Sequence, residues 1–251
     1  MNPINYSQFD NLTFEDFRRM ATDTSLSSHE KVGFPDSYRA GKEECIFRDI
    51  LGKLPQLGQD RQVVLDIGPG CSGLALRLIE HCGERKHTLV LVDSAEMLAH
   101  LPEREHVRKY AALYPNCPQL FAEFEGRVHA ILVYSVLQYI FAEGNVFDFL
   151  DRSLGLLAPG GAMLLGDIPN VSKRKRFFSS AAGVACHRQF TGRDETPAVV
   201  FNHIEAAKID DSVVLALLMR CRSAGYDAYI VPQGLELPIA NRREDMLIVR
   251  P

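Results

Sequence analysis

The sequence contains no Cys-x-x-C pair and no Cys/His spacing of the kind that folds around zinc. Its six cysteines (Cys45, Cys71, Cys82, Cys117, Cys186 and Cys221) are scattered through 251 residues, which points to reduced thiols and a cytoplasmic chain. Long apolar runs are missing too. None approaches the ~18–20 residues that a membrane span requires, and the opening residues, MNPINYSQFDNLTFEDF, are polar and acidic, unlike a signal peptide. There is no excess of positive charge: the formal net charge of −4 argues against holding nucleic acid by bulk phosphate attraction. Internal repeats and low-complexity segments are also absent. What remains, 46% hydrophobic and 24% charged residues, is enough to build one large α/β domain with an appendage.

What is present is organised around Val63–Leu74, VVLDIGPGCSGL. A short apolar run, Val63 to Leu65, ends in Asp66 and then in a glycine turn, Gly68-Pro69-Gly70-Cys71-Ser72-Gly73. The residues that follow set Leu74, Leu76, Leu78 and Ile79 at helical spacing, so the stretch predicts buried strand, tight turn and helix. With so little side chain, the turn lets a ligand approach the backbone, and the helix start supplies unpaired N–H groups. Further on, HTLVLVDSAEML (87–98) predicts a second buried strand, Leu89 to Val92, ending in Asp93. An acid about 20 residues past the glycines is placed to accept hydrogen bonds from a ribose diol. Capping the helix that starts at Ser94 is its alternative use.

Residues 1–60 read as an N-terminal helical cap on a main domain spanning 61–251. Thr13 can cap a short helix with Glu15 and Asp16 in its first turn, 25–41 is loop-like, and 42–54 places Ile46, Ile50, Leu51 and Leu54 on one face. Phe34, Tyr38 and Arg39 in the loop either line a binding pocket or form an aromatic plug beside a surface arginine. After the second strand, a third falls within 106–113. A fourth, Ala130 to Tyr134, opens at Ser135 into a polar-aromatic turn. A helix over 147–157 and a Pro159-Gly160-Gly161 turn precede the fifth strand, Ala162 to Ile168. Alternating strands and helices predict a parallel sheet with right-handed crossovers. Asp66, Asp93, Ser135 and Asp167 then all fall at strand C-terminal ends, where the ligand crevice of such a sheet lies. From 169 to about 205 the pattern lapses, and this stretch is a candidate lid. It holds four consecutive basic residues, Lys173 to Arg176, together with His187 and His203. A helix over 210–225 follows, and strands at 228–233 and 244–251 are too close for a helical crossover, so they pair as an antiparallel hairpin.

The combination of LDIGPG, LVDSAEML, the aromatic turn after the fourth strand, LLAPGGAMLLGDI and the closing hairpin resembles the class I S-adenosylmethionine (SAM)-dependent methyltransferases. The resemblance covers roughly 60–251. It implies a three-layer, Rossmann-like sheet of seven strands, mostly parallel, with the last strand inserted antiparallel beside the fifth. It also implies SAM as cofactor and S-adenosylhomocysteine as product. In that family Asp66 would hold the positive amino end of the cofactor, directly or through water. Gly68, Pro69, Gly70 and Ser72 would form the turn against it, and Asp93 would take the ribose hydroxyls. Ser94 and Met97 would lie beside the adenine, and Ser135, Gln138 and Tyr139 would border the methionine end of the cofactor and the reacting methyl. Two departures stand out. The third glycine is displaced to Gly73, and the acid that often contacts adenine after the third strand is missing from Tyr110–Pro115, which leaves that contact to the backbone. GFPDSYRAGKEECIFRDIL, upstream, is similar to methyltransferases that modify bacterial surface glycans and sugars, which implies a small, polar, sugar-like acceptor. The family's divalent-metal set is not visible, so no metal is expected. A homo-oligomer is left open.

If the acceptor is a hydroxyl, a base must take its proton. Asp167, His187 and His203 are candidates, although Asp167 can equally hold the Ile168-Pro169 turn and the histidines can be surface residues. Tyr139 can orient the acceptor or pack as a rim aromatic. Arg174 and its basic neighbours can bind a phosphate, such as the diphosphate of a nucleotide sugar, or form a solvated face. A nicotinamide-dependent dehydrogenase shares the glycine spacing but usually lacks an acid in the position of Asp66, and Tyr38-x-x-x-Lys42 precedes the glycine turn, the wrong order for that class. A non-catalytic SAM-binding module on the same fold would differ only in turnover. The Asn/Asp-Pro-Pro-Tyr signature of amino-group base methylation is absent after the fourth strand.

Overall fold

Asp66 and its neighbours Val64, Leu65 and Ile67 are all buried in β1 (Val63–Ile67), as are Leu89 to Val92 in β2 (Thr88–Asp93). Continuous burial, rather than alternation, is what parallel strands covered by helices on both faces require. The computed structural model describes residue 9 and residues 11–251. In it β3 (Val107–Ala111), β4 (Val128–Tyr134), β5 (Leu157–Pro169), β6 (Asp227–Val231) and β7 (Arg243–Val249) complete a seven-stranded sheet of order β3-β2-β1-β4-β5-β7-β6. The first five strands are parallel, and β7 runs antiparallel to both β5 and β6. The expected sheet and its closing hairpin are both there. β5 starts earlier than Ala162. Leu157 pairs with Val128, and Gly160 and Gly161 exchange backbone hydrogen bonds with Arg250 at 3.0 and 2.9 Å, which draws the expected turn into the sheet.

Side-chain alternation along the strands feeds two cores. Val64, Leu89 and Leu91 pack with Ile46 and Ile50 of a helix over Glu43–Lys53 and with Leu78 and Ile79 of one over Gly73–Glu84. Leu65, Ile67, Val90 and Val92 pack with Phe149 and Leu150 of a helix over Val146–Leu156 and with Leu217 and Cys221 of one over Asp211–Ser223. Each fully buried Leu or Ile contributes ~1.5–3 kcal/mol. These layers fix the strand ends, and so the site.

Numbered along the chain, the N-terminal helices are α1 (Phe14–Thr22), α2 (Ser28–Lys31), α3 (Asp36–Arg39) and α4 (Glu43–Lys53). The crossover helices are α5 (Gly73–Glu84), α6 (Ala95–Leu98), α7 (Pro118–Phe124), α8 (Leu137–Glu143) and α9 (Val146–Leu156). α1 starts with a reciprocal capping box between Thr13 and Asp16, which satisfies two donors that a helix start leaves open. It is pinned to the sheet's helices by Arg18–Glu96 at 2.6 Å and by the Phe14 N–H donating to Glu143 at 3.1 Å. The loop expected at 25–41 contains α2 and α3, each of four residues, too short to show a helical period in sequence.

The stretch where the sequence pattern lapses also folds. α10 (Val171–Phe178) is capped by Asn170, and α11 (Ala181–Thr191) is capped by Ser180. α10 has no fully buried residue and α11 buries only Gly183, so neither carries the apolar stripe that betrays a helix. α10 lies against α12 (Asp211–Ser223) and a short turn at Ala240–Arg242, and α11 packs on α10. Among the described residues no helix is long and apolar enough to cross a membrane, and no group of three or more His, Cys, Asp and Glu is arranged to hold a metal. All six cysteines are free thiols.

Candidate functional site

The strand order reverses between β1 and β4, which leaves a crevice beyond their C-terminal ends. A cavity of about 420 Å³ opens there, within the range of small-molecule sites. Its floor is the glycine turn. Gly68 has φ +73°, and a Cβ on it would come 2.6 Å from Val136; Gly70 has φ +62°, and its Cβ would come 2.5 Å from Val32. Only glycine lets the turn pass between the β4 end and the N-terminal helices. Phe14, Phe17, Val32 and Phe34 form the roof, and Ala112–Asn116 with Met97 form the far wall.

Two acids stand at the β1–β2 side. Asp66 is 4% exposed, and its carboxyl has no hydrogen-bond partner among the described residues. Burial, and then the charge of Asp93, push its pKa up to about 8. Asp93 accepts from the backbone N–H of Ser94 at 2.7 Å and of Gly70 at 3.0 Å. Burial raises it to about 6 against the pull of those two donors. Each Asp93 oxygen still has acceptor capacity. Together the acids can receive a cation and a pair of hydroxyls.

The β4–β5 side is built differently. Ser135 (φ +63°) and Asp167 (φ +59°) are left-handed residues at the ends of adjacent strands, a strained conformation that a surrounding network must hold. Arg39 Nη2 donates to Asp167 Oδ2 at 2.5 Å and to Ser135 Oγ at 2.7 Å, while Ser135 Oγ also donates to Asp167. Arg243 adds a bond to the same oxygen at 3.1 Å. Behind them, Asp245 accepts from the Asp167 N–H at 2.7 Å, from Gln233 at 2.9 Å and from Lys53 at 2.7 Å. The Arg39 guanidinium lies over the Phe34 ring, 4.0 Å from its centroid, and 5.6 Å from that of Tyr134.

Of the residues singled out from sequence, Gly68, Pro69, Gly70, Ser72, Asp93, Met97, Ser135, Phe34, Arg39 and Tyr139 line the cavity. Asp66 lies beneath its floor. Ser94 is buried and caps α6 by accepting from the Met97 N–H at 3.1 Å, so it acts through Met97. Asp167 stands behind Arg39. Tyr38 and Gln138 are not among the lining residues, and Gln138 donates to the Ser135 carbonyl at 2.7 Å. The candidate lid at 169–205 contributes nothing to the walls. His187 faces Glu195 at 3.5 Å, the His203 carbonyl accepts from Lys175, and Arg174 pairs with Glu205 at 2.8 Å. The basic run is spent on such bonds: Lys173 donates to the Arg243 carbonyl and Arg176 pairs with Asp211.

Several lining residues carried no signal in the sequence. His29 bridges two carboxylates, Asp36 at 2.9 Å and Glu43 at 2.6 Å, and so joins α2, α3 and α4 beside the glycine turn. Phe17 meets Tyr139 edge-on with centroids 4.8 Å apart. Burial raises the Tyr139 phenol, which keeps it a neutral donor at the rim.

No family model matches the chain, and no curated protein matches it. Solved structures do. The plantazolicin methyltransferase BpumL, in complex with S-adenosylhomocysteine, aligns over 94% of this chain and 96% of its own with a TM-score of 0.58 at 14% identity. A SAM-dependent methyltransferase from Aquifex aeolicus aligns over 89% and 98% with 0.51 at 15%. The CurJ carbon methyltransferase aligns over 94% of this chain with 0.54 at 14%, and this chain spans 64% of that one. At such identities the likeness establishes the fold: a Rossmann-like, seven-stranded methyltransferase sheet with an antiparallel β7.

Proposed function

We propose that this chain is a cytoplasmic SAM-dependent methyltransferase acting on a small acceptor held over the ends of β4 and β5. The observation that carries the reading is Asp66, a buried carboxyl without a partner among the described residues, next to Asp93 and a glycine turn on a sheet of methyltransferase fold. A buried acid is costly unless something completes it. The amino group of a bound methionine moiety would do so.

When bound, SAM supplies an already activated methyl on a sulfonium, so the protein's task is alignment and exclusion of water. Asp66 would hold the amino end and Asp93 the ribose hydroxyls. Met97 and Ala112–Asn116 would flank the adenine, with backbone groups replacing the acid that is missing after β3. The acceptor would lie under Phe17, Phe34 and Tyr139. Asp167 serves as a fixed anchor for Arg39 rather than a base, because one of its oxygens already accepts from three side chains. Aromatic walls favour an acceptor with an apolar body over the sugar-like one expected from the upstream segment. The basic run, paired within the protein, offers little to a nucleotide sugar's diphosphate.

Calorimetry with SAM and S-adenosylhomocysteine should show binding that Asp93→Ala abolishes. Unchanged affinity in that variant would refute the assigned site.

A further inference from the structure

Arg242 closes the turn at Ala240–Arg242 and leads directly into β7. Its backbone is held on both sides: its N–H donates to the Ile239 carbonyl at 3.0 Å, and its carbonyl accepts from the Asn170 N–H at 3.1 Å. The half-buried side chain carries the guanidinium over Phe178 at the end of α10, 5.1 Å from the ring centroid. Nε is buried without a hydrogen-bond partner. Nη1 and Nη2 make no hydrogen bond among the described residues, and no carboxylate there stands within ion-pair distance. Burial lowers the pKa of Arg242; Tyr38 and Cys186 oppose that, and the charges of Arg243 and Arg174 reinforce it. Its neighbours are no better matched. Arg243 shares Asp167 with Arg39. Lys173 donates to the Arg243 carbonyl, which occupies a donor but leaves the charge uncompensated. A partly desolvated guanidinium of this kind is complete only when an anionic oxygen meets it.

We propose that Arg242, between the start of β7 and the end of α10, binds a phosphate group at a site separate from the cofactor cavity, which Arg242 does not line. The charge count selects the anion. Arg242 and Lys173 bring two positive charges, neither with a carboxylate at ion-pair distance among the described residues. A phosphate monoester carries about 1.5–2 negative charges near neutral pH, a carboxylate only one. The fork of Nη1 and Nη2 matches two oxygens of such a group, and Phe178 against the guanidinium favours the cation and keeps water from one face. The rest of the basic run stays out of the site. Arg174 and Lys175 meet Glu205, and Arg176 meets Asp211. Such a site owes nothing to the cofactor and would stand with or without methyl transfer.

The test is calorimetry on the full chain at pH 7 and constant ionic strength, with phenyl phosphate, inorganic phosphate and benzoate as probes. Phenyl phosphate should bind about tenfold or more tightly than benzoate, and its affinity should change by less than about twofold when the chain is saturated with S-adenosylhomocysteine. Arg242→Gln should lose about tenfold in phenyl phosphate affinity, while Arg174→Ala stays within about threefold. Phenyl phosphate binding more tightly than inorganic phosphate assigns the site to an ester, and equal binding assigns it to the free ion; both uphold a phosphate site. The comparison with benzoate and the independence from S-adenosylhomocysteine are read on the unaltered chain, so they stand even if a variant folds poorly. Three results overturn the proposal: no preference for phosphate over benzoate, competition between phenyl phosphate and S-adenosylhomocysteine, or an Arg174→Ala loss as large as that of Arg242→Gln. Failure of S-adenosylhomocysteine to bind at all would strike the methyltransferase reading and leave the phosphate comparison intact.

Discussion

Asp66 and Asp167 end strands two places apart in the sheet and are buried alike, at 4% and 2% exposure. Around Asp167 stand two arginines and a serine, and its own N–H is held by a second buried acid. Around Asp66 stand apolar side chains and another acid, which push it up to about 8. The first is solvated by the protein; the second is not. A paired buried carboxylate belongs to the architecture, whereas an unpaired one is retained at a cost and marks where a ligand must finish the work. The rim of the sheet is thus half scaffold and half receptor.

Replacing each acid should therefore have very different effects on stability. Asp167→Ala strips the shared counter-charge from two largely buried guanidiniums and should cost ~3–5 kcal/mol in urea denaturation. Asp66→Asn removes a desolvated acid and should cost no stability, while weakening SAM binding at least tenfold. Similar losses of stability in the two variants would erase the distinction.

The pH dependence sharpens it. Asp66 is raised from 3.8 to about 8 in the folded chain. Between those values the unfolded chain has released the proton and the folded chain has kept it. Its contribution to stability is therefore largest in acid, falls as pH rises through that window, and levels off above about 8. Asp66→Asn should lack this slope. A cationic group that pairs with ionised Asp66 must also expel its proton, so SAM affinity should rise with pH, by up to about tenfold per unit, until pH is near 8. Titration calorimetry in buffers of different ionisation enthalpy would count the proton released, and a count of zero at pH 7 would remove Asp66 from the amino end.

A smaller effect is expected at Ser135. Ser135→Ala removes one acceptor from Arg39 and one donor to Asp167, but leaves the ion pair, and should cost about 1 kcal/mol by the same denaturation assay. A loss as large as that of Asp167→Ala would mean that the hydroxyl, not the ion pair, holds the β4–β5 side together.

The receptor half was legible in the sequence because its signals are local. An apolar run, its terminal acid and the glycines after it sit within a dozen residues, and the period of the next helix fixes their direction. The scaffold half was not. Arg39 meets Asp167 across 128 residues and Lys53 meets Asp245 across 192, and nothing in either neighbourhood announces its partner. The one-turn helices α2 and α3 were invisible for a related reason. They are held by His29 between Asp36 and Glu43, not by a periodic apolar face.

The basic run on α10 shows what local reading leaves open, since four like charges in a row fit a phosphate site and a solvated face alike until their partners are known. Arg174 finds Glu205, 31 residues on, and Arg176 finds Asp211, 35 residues on. These are half-exposed pairs: the Arg174 side chain is 44% exposed and that of Glu205 is 28%. Solvent screens such pairs to ~0–1 kcal/mol, so they tether α10 without defining it. Arg174→Ala should change stability by less than about 1 kcal/mol and leave SAM affinity and turnover where they were. A tenfold loss of turnover with stability intact would show that the run reaches the acceptor after all, and would move the border of the receptor half across β5 to α10.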